Sequence, residues 1–437
     1  MHPDPSAPSS TPTTGPPRPT VVVVGGGFGG IAAAQALRTV PVDVTLVDRH
    51  NYHGFWPLLY QVATAALSPG DIAHNLRGIF WGNENVDARM ANVTGIDLDA
   101  RRVDLDTGPP LSYDWLILAA GSVNDSFGVP GVADNAFPLK SLPDAMAVRN
   151  HLLEHFEQAH TDPGLVDAGF LTVVVAGGGP TGVEVSGALS ELFRVLGRDF
   201  KMLDVGRASV VLVEMGDHLL NGFRPSSQAD ALRTLRDRGV EVRLGTRIAE
   251  ARRDGVTFDD GTVVPTHTLV WAAGVRANPL ADILGVEQGR SGTVVVADDL
   301  SVPGHPEVFV IGDMAGSSDA KGPLPMVAPV AQQGARHAAA CIGARLAGRS
   351  TKAFRYRDKG KMATIGRRSA VADLPFGIRL GGTPAWLSWL GLHLVLLVGS
   401  RNRATVLVNW TWNYVTWDRG NRVILRMGEE HPGARIG

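Results

Sequence analysis

The sequence predicts an α/β fold with two similar parallel-sheet units, followed by a C-terminal region of different composition. Two glycine-rich stretches carry this prediction, because each follows an unbroken apolar run and precedes a helical pattern. A strand that is covered on both faces needs such a continuous run of β-formers, whereas a half-exposed strand alternates apolar with polar residues. The length of the chain supports this prediction, because 437 residues are too many for one ordinary hydrophobic core and favour two domains with an appendage.

Composition argues against several classes of function. The 41 basic residues nearly balance 43 acidic residues, so we expect no nucleic acid partner. Cys341 is the one cysteine, which allows no internal disulfide, no redox-active cysteine pair and no cysteine-based metal site. The 13 histidines show no metal-ligand spacing, so we assign no metal. Residues 1–19 are rich in proline, serine and threonine and are interpreted as a disordered tail.

The first glycine loop follows the strand pattern that starts at Thr20. Gly25, Gly27 and Gly30 satisfy G-x-G-x-x-G, in which the first glycine permits a tight turn and the second lets backbone approach a pyrophosphate. The third lets the helix pack closely on the strand, and the helix N-terminus supplies N–H donors. The next strand ends at Asp48, whose carboxylate can accept from ribose hydroxyls. We therefore predict a Rossmann-like dinucleotide site, and its residues are Gly25, Gly27, Phe28, Gly29, Gly30 and Asp48.

The second glycine loop repeats this spacing later in the chain. Gly177, Gly179 and Gly182 follow an apolar strand, Thr181 lies within the loop, and Glu214 closes the next strand. A carboxylate at that strand end binds a free 2′-hydroxyl and repels a 2′-phosphate, so NADH is favoured over NADPH. Two loops with matching acidic strand ends indicate one bound flavin nucleotide and one exchanging nicotinamide nucleotide, and hence hydride transfer between them.

Three later strands also end in glycine. These strands are WLILAAGS, which contains Gly121, LVWAAGVR, which contains Gly274, and VFVIGDMA, which contains Gly312 and Asp313. With both loops, they make residues 20–348 resemble the two-dinucleotide-binding-domain flavoproteins, the glutathione reductase-like superfamily. The resemblance implies that Asp313 holds the ribityl and pyrophosphate region of FAD. It also implies an FAD-binding domain over residues 20–135 and 296–350, an NADH-binding domain over 136–295 and a C-terminal region over 351–437.

Within that superfamily the chain is most similar to the type II NADH:quinone oxidoreductases, which act at membrane surfaces without pumping protons. The stretches that carry the likeness begin NYHGFWPLLY, GGGPTGVEV, MVAPVAQQG and YRDKGKMATIG. The family pattern implies that Glu184 lies where nicotinamide, flavin and quinone meet. It also implies that Gln333 belongs to the quinone site, whose AQxxxQ motif is altered here because Pro329 replaces the first glutamine. Without the family, Glu184 would be a helix-end carboxylate and Gln333 a helix-surface amide.

The C-terminal region is rich in tryptophan, with five of the nine lying between Trp386 and Trp417. The stretch PAWLSWLGLHLVLLVG is too short to span a bilayer, and Arg401 and Arg403 follow it. Five of its residues share helical spacing and are interpreted as a face lying in the lipid headgroup layer: Trp386, Trp389, Leu390, His393 and Leu397. The segment VLVNWTWNYVTWDRG fits a strand or a helix. The alternatives to membrane binding are internal packing and a homodimer contact.

Together these features predict an FAD-dependent oxidoreductase that passes electrons from NADH to a membrane quinone without proton pumping. We expect it on the cytoplasmic face of the cell membrane as a peripheral protein. Two alternatives are a soluble NADH-dependent flavin reductase with another acceptor and a non-catalytic NADH-sensing flavoprotein. Membrane association would separate the membrane quinone reductase from the soluble flavin reductase. Turnover of NADH with a soluble quinone analogue would separate it from the non-catalytic sensor.

Overall fold

The computed structural model describes residues 17–416 and 419–425, so the predicted tail lies almost entirely outside the described residues. The α-helices of the described part are, in chain order, α1 Phe28–Leu37, α2 Leu59–Ala63, α3 Pro69–Ile72, α4 Leu76–Ile79, α5 Val132–Asn135, α6 Leu142–Thr161, α7 Pro180–Asp199, α8 Pro225–Asp237, α9 Leu280–Ile283, α10 Ala328–Leu346, α11 Gly382–Leu396 and α12 Ser400–Thr416. Helices α1 and α7 follow the two glycine loops, as the sequence predicts.

The first glycine loop belongs to a six-stranded sheet that is parallel except at one edge. Its strands lie in the spatial order Ser301–Val302, His305–Val310, Trp115–Leu118, Thr20–Val24, Asp43–Asp48 and Val86–Met90. Helices α1 and α10 cover one face. A three-stranded antiparallel sheet covers the other, with strands Val93–Asp97, Arg102–Leu105 and Leu111–Ser112. Because both faces are covered, Val21 to Val24 are at most 3% exposed, and the prediction of a doubly covered parallel sheet is confirmed.

The second glycine loop belongs to a five-stranded parallel sheet. Its strands lie in the order Ala136–Pro138, Thr268–Trp271, Thr172–Ala176, Ser209–Glu214 and Val240–Leu244. Helices α6 and α7 pack on one face. The antiparallel strands Ile248–Arg252, Gly255–Phe258 and Val263–Pro265 pack on the other. Strand–loop–helix–strand units of this kind place both glycine loops at the carboxyl ends of parallel strands, where open α/β sheets bind their ligands.

Short antiparallel pairs complete the two units. The pair Ser122–Asn124 and Val275–Ala277 joins the segment after Gly121 to the segment after Gly274, and so links the two sheets. Two further pairs are Tyr52–Gly54 with Ala73–Asn75 and Ser318–Asp319 with Gly322–Pro323. The segments that follow the two glycine-ended strands are thus paired with each other.

The C-terminal region forms a small antiparallel sheet followed by two helices. The strands are Lys361–Gly366, Ser369–Asp373 and Arg379–Gly381, and they lead into α11 and α12. The tryptophan-rich segment that fitted a strand or a helix is therefore helical as far as Thr416, where α12 ends. Within the described ranges, no helix combines the length and apolarity needed to cross a membrane.

The structure corrects the predicted membrane face of α11. Trp386, Trp389 and Leu397 are 8%, 1% and 1% exposed, and they pack against the protein. Leu390 and His393 are half-buried beside them. The interpretation of this stripe as lipid-facing is wrong, because helical spacing identifies an apolar face without saying whether protein or lipid covers it.

A different set of C-terminal apolar side chains is exposed. It consists of Leu387, Leu392, Val395 and Leu396 on α11 and Leu407, Val408, Trp412 and Val415 on α12, each at least 45% exposed. We call these eight residues the C-terminal apolar surface. Arg401 and Arg403 are exposed between the two parts of this surface, at the start of α12.

Candidate functional site

The first glycine loop has the geometry of a phosphate cradle. Gly25 has a φ of +105°, which favours glycine. A Cβ on Gly30 would lie 1.7 Å from the carbonyl oxygen of Gly25, so helix and strand meet there with no room for a side chain. A Cβ on Gly27 would meet nothing within 4 Å, which leaves open space at the start of α1. The loop therefore fits a pyrophosphate placed against the helix N-terminus.

Asp48 holds this loop as well as facing the cleft. Its carboxylate accepts from the backbone N–H of Gly26 at 2.5 Å and from that of His50 at 2.7 Å. Burial opposes ionisation, but hydrogen bonds from His50 and Gly26 outweigh it and lower the pKa of Asp48. The side chain is thus a fixed anion at the strand end, as ribose binding requires. Phe28 packs edge-on against His53 and Phe55, and these contacts position the start of α1.

The second loop repeats these contacts almost atom for atom. Gly177 has a φ of +103°, and a Cβ on Gly182 would lie 1.8 Å from the carbonyl oxygen of Gly177. Gly179, like Gly27, faces open space, and Thr181 is exposed on the first turn of α7. The carboxylate of Glu214 accepts from the backbone N–H of Gly178 at 2.6 Å and of Gly216 at 2.7 Å. The two predicted nucleotide sites therefore share one local architecture.

Other predicted cofactor residues converge on the first loop. A Cβ on Gly29 would approach the side chains of Ile311 and Ala331, and one on Gly312 would lie 3.0 Å from the Ala331 side chain. The end of the strand before Gly312 and the start of α10 thus meet the first loop. Gly121 has a φ of +74° and faces open space, and its carbonyl accepts from the backbone N–H of Asn278 at 3.0 Å.

Gly274 lies on the side of the second loop. A Cβ on Gly177 would come within 2.9 Å of Ala272, two residues before Gly274. A Cβ on Gly274 itself would lie 2.3 Å from the ring of Phe127, and the Gly274 carbonyl accepts from the backbone N–H of Asp125 at 3.3 Å. The glycine permits this close approach between the two units.

A chain of three polar side chains crosses between the units at Asp313. The hydroxyl of Ser122 donates to the Asp313 carboxylate at 2.6 Å, and the ammonium of Lys140 donates to the same hydroxyl at 2.9 Å. Burial lowers the pKa of Lys140, while Asp313 opposes that shift. The sequence marked Asp313 and missed Lys140, because a single lysine between a short strand and a helix carries no motif.

Glu184 is a half-buried residue of α7 whose carboxyl group lies inside the protein. The backbone N–H of Thr364 donates to it at 3.3 Å, and the indole of Trp389 donates to it as well. Burial is the larger effect and raises the pKa of Glu184 to about 8, against these hydrogen bonds. His393 stacks on Trp389 at 4.0 Å between ring centroids and fixes the indole. The carboxyl group therefore carries a proton at neutral pH and can donate it.

Gln333 lies elsewhere. Its amide N–H donates to the carbonyl of Arg357 and its amide oxygen accepts from the Arg357 N–H, both at 3.0 Å. Both ends of the side chain are thus bound to one backbone unit, and Gln333 does not line the cavity beside Glu184. The role of Gln333 at a quinone site stays a prediction.

Comparisons with known proteins cover nearly the whole chain. Residues 19–335 match the pyridine nucleotide-disulphide oxidoreductase family, and residues 359–416 match the NDH2 C-terminal domain. The type II NADH:quinone oxidoreductase Ndh of Mycobacterium tuberculosis is 40% identical over 436 residues, with 96% of this chain and 93% of that protein covered. A type II NADH:quinone oxidoreductase of Staphylococcus aureus is 30% identical over 379 residues, with 84% of this chain and 92% of that protein covered.

A solved structure of NDH2 from Plasmodium falciparum in complex with NADH has the same fold. It superposes with a TM-score of 0.84 at 19% identity, with 94% of this chain and all of that chain covered. The family models, the identity over most of each relative and the paired nucleotide loops agree. The chain belongs to the type II NADH:quinone oxidoreductases.

Proposed function

We propose that this protein oxidises NADH and reduces a membrane quinone through bound FAD, without pumping protons. The observation that carries the proposal is the pair of matching loops in a chain of this family. We assign FAD to the loop of the six-stranded sheet and NADH to the loop of the five-stranded sheet. FAD supplies the group that accepts hydride from NADH and returns two electrons to the quinone. The net reaction is NADH + quinone + H⁺ → NAD⁺ + quinol, which consumes one proton.

The residues around the two loops fit this assignment of FAD and NADH. Asp48 and Asp313 would hold FAD from two sides of the cleft in the six-stranded unit, and Glu214 would hold the ribose of NADH. Lys140 places a partly buried ammonium between the units, where it can offset negative charge of the bound nucleotide. Glu184 is the candidate proton donor to the quinone, because its carboxyl group is protonated at neutral pH and lies where the C-terminal region meets α7.

We also propose that the C-terminal apolar surface lies on the cytoplasmic face of the cell membrane. A quinone is soluble in lipid, so an enzyme that reduces it gains from resting on the bilayer. Exposed tryptophan and aliphatic side chains with neighbouring arginines favour the boundary between headgroups and acyl chains. A homodimer that uses this surface is the competing arrangement, and liposome flotation distinguishes the two.

The proposed function is tested by following the flavin in the purified full-length protein. Reduction of the flavin by NADH should be fast, and its reoxidation should depend on added quinone. Reduction without quinone-dependent reoxidation would favour a flavin reductase with another acceptor. Binding of NADH without flavin reduction would favour a sensor.

Replacing Glu214 with arginine is expected to shift nucleotide preference toward NADPH. The variant loses both backbone hydrogen bonds made by Glu214 and replaces repulsion of a 2′-phosphate with attraction. A charged hydrogen bond contributes about 1.5–3 kcal/mol, so the ratio of kcat/KM for NADH to that for NADPH should fall by about tenfold or more. Glu214→Gln is the control, since it removes the charge without attracting phosphate. An unchanged ratio in Glu214→Arg would place Glu214 away from the ribose.

Replacing Glu184 with glutamine is expected to slow flavin reoxidation by quinone and remove its alkaline inflection. In the wild type, reoxidation should decline as pH rises through about 8, because the carboxyl group then loses its proton. Stopped-flow reoxidation from pH 6 to 9 measures this. Reoxidation at the wild-type rate in the variant would rule out Glu184 as the donor.

The same variant gives a stability readout that is independent of turnover. Because its pKa is raised from 4.5 to about 8, folded Glu184 binds more protons than the unfolded chain between those values. Glu184 therefore decreases the free energy of unfolding of the wild type as pH rises from 4.5 to about 8. The Tm of Glu184→Gln relative to wild type should increase from pH 5 to 8 and then level off. A constant difference would show that the carboxyl group is not buried as described.

A further inference from the structure

A cavity opens beside the carboxyl group of Glu184 and extends away from it along α7. It offers about 50 Å³ to the centres of water molecules. One water needs roughly 10–15 Å³ of such space, so there is room for about three to five waters. Its walls come from α2, α7, α12, the strand Lys361–Gly366 with the following Arg367, and Arg419.

Polar side chains line this cavity, so it should be hydrated. Gln61 donates to the hydroxyl of Tyr60 at 2.9 Å and accepts from the indole of Trp410 at 2.8 Å. Asn413 and Tyr414 contribute an amide and a second phenol. Empty cavities in proteins are apolar, whereas waters occupy spaces in which two to four polar groups are within reach. A short chain of water molecules therefore fits between Glu184 and the far end of the cavity.

Glu191 and Arg419 form that far end. Glu191 lies seven residues beyond Glu184 on the same face of α7, about 10 Å along the helix. Its carboxylate accepts from Arg238 at 2.8 Å, from Arg419 at 3.1 Å and from the backbone N–H of Arg367 at 2.5 Å.

Arg419 also binds two backbone carbonyls, one before α3 and one on α7. Its guanidinium donates to the carbonyl of Thr64 at 2.7 Å and to that of Ala188 at 3.2 Å. The pair formed by Glu191 and Arg419 thus fixes the wall of the cavity where the C-terminal segment crosses α7.

A buried proton donor must be reloaded after each turnover. When Glu184 gives its proton to a quinone oxygen, the O–H bond breaks and the electron pair stays on the carboxylate. We propose that water in this cavity returns a solvent proton to Glu184 in each turnover, and that Glu191 and Arg419 are the positioning residues that keep the route open. Each water accepts one proton and passes one on, so the chain of waters is unchanged overall. The inference rests on the proposed quinone reductase activity.

Charged and titratable groups reach the cavity from every element around it. They are Tyr60 on α2, Glu184 and Glu191 on α7, Arg367 after the strand Lys361–Gly366, Tyr414 on α12, and Arg419. Burial raises the pKa of Tyr60 and Tyr414, so both phenols stay protonated and serve as hydrogen-bond partners for water. Glu191 offsets the positive charge of Arg238 and Arg419. Removing its charge leaves arginines uncompensated near Glu184, which should lower the pKa of that carboxyl group.

Two variants of the full-length holoenzyme test the route. Ala188→Leu places a larger apolar side chain in the cavity and replaces no charged residue, since Ala188 lines the cavity. We expect reoxidation by a soluble quinone to slow at least tenfold with an increased solvent isotope effect in D₂O, while flavin reduction by NADH stays within twofold of wild type. Glu191→Gln should shift the alkaline inflection of reoxidation to lower pH. Ala340→Leu, at an exposed alanine of α10, is the control for the substitution itself.

The outcomes separate clearly. Wild-type reoxidation in Ala188→Leu, or equal slowing of both half-reactions, would overturn the proposed route. If Ala188→Leu fails to fold, Glu191→Gln still tests the proposal. An alkaline inflection of flavin reoxidation at the wild-type pH in Glu191→Gln would overturn the role of Glu191 and Arg419. A wild-type protein whose flavin is reduced by NADH but never reoxidised by quinone would instead overturn the proposed function.

Discussion

Protein in which Asp48 is replaced by alanine is expected to purify with little flavin. The carboxylate makes charged hydrogen bonds to the backbone of Gly26 and His50, and it would bind the ribose of FAD. Each such bond contributes about 1.5–3 kcal/mol, so losing the set should weaken FAD binding by at least a hundredfold. The ratio of flavin absorbance to protein absorbance after gel filtration measures the effect.

Two other carboxylates provide matched controls for this variant. Asp87→Ala changes a largely exposed carboxylate on the edge strand of the same sheet, and it should keep its flavin. Glu214→Ala changes the equivalent strand end of the other sheet, so it should keep flavin and lose affinity for NADH. Full flavin occupancy in Asp48→Ala would contradict the assignment of FAD to the first loop.

Serine substitutions on the C-terminal apolar surface are expected to release the protein from lipid vesicles. The proposed variant changes Leu392, Val395, Val408 and Trp412, which are 45%, 67%, 65% and 60% exposed. Burial of apolar surface contributes about 25 cal/mol per Å², so four such losses should lower membrane partitioning by at least about tenfold. In a flotation gradient, the wild type should rise with the vesicles and the variant should stay at the bottom with its FAD bound.

Four exposed apolar residues outside the C-terminal region give the matched control. Serine at Trp81, Met202, Val263 and Ile283 removes apolar surface from other elements, and flotation should be unaffected. Failure of the wild type to float, together with a stable dimer that the first variant dissociates, would show that the surface pairs two subunits.

Deleting everything after Pro384 is a poorer test, because Trp389, Leu397 and Trp410 belong to the main hydrophobic core.

The nucleotide loops show what local sequence can determine. A turn with positive φ, a helix packed against a strand and an acidic strand end each depend on residues within one βαβ unit, so their spacing predicts them directly. The glycines at Gly25 and Gly177, and the carboxylates at Asp48 and Glu214, occupy equivalent positions in the structure. The apolar runs before the two glycine loops also predicted the two parallel sheets.

Tertiary structure decided what the tryptophans of α11 contact. Trp389 has the spacing of an amphipathic stripe whether lipid or protein covers it, and only the folded chain shows that it donates to Glu184. The residue that gives Glu184 a buried hydrogen-bond partner is thus one that local pattern assigned to the membrane.

The sequence pattern likewise did not predict the contacts between distant segments. Ser122 donates to Asp313, 191 residues away, and Arg419 donates to Thr64 and to Ala188 of α7, 355 and 231 residues away. Short-range periodicity determines each element and its apolar face. Which faces meet, and therefore which polar groups become buried partners, depends on long-range packing that no spacing rule encodes.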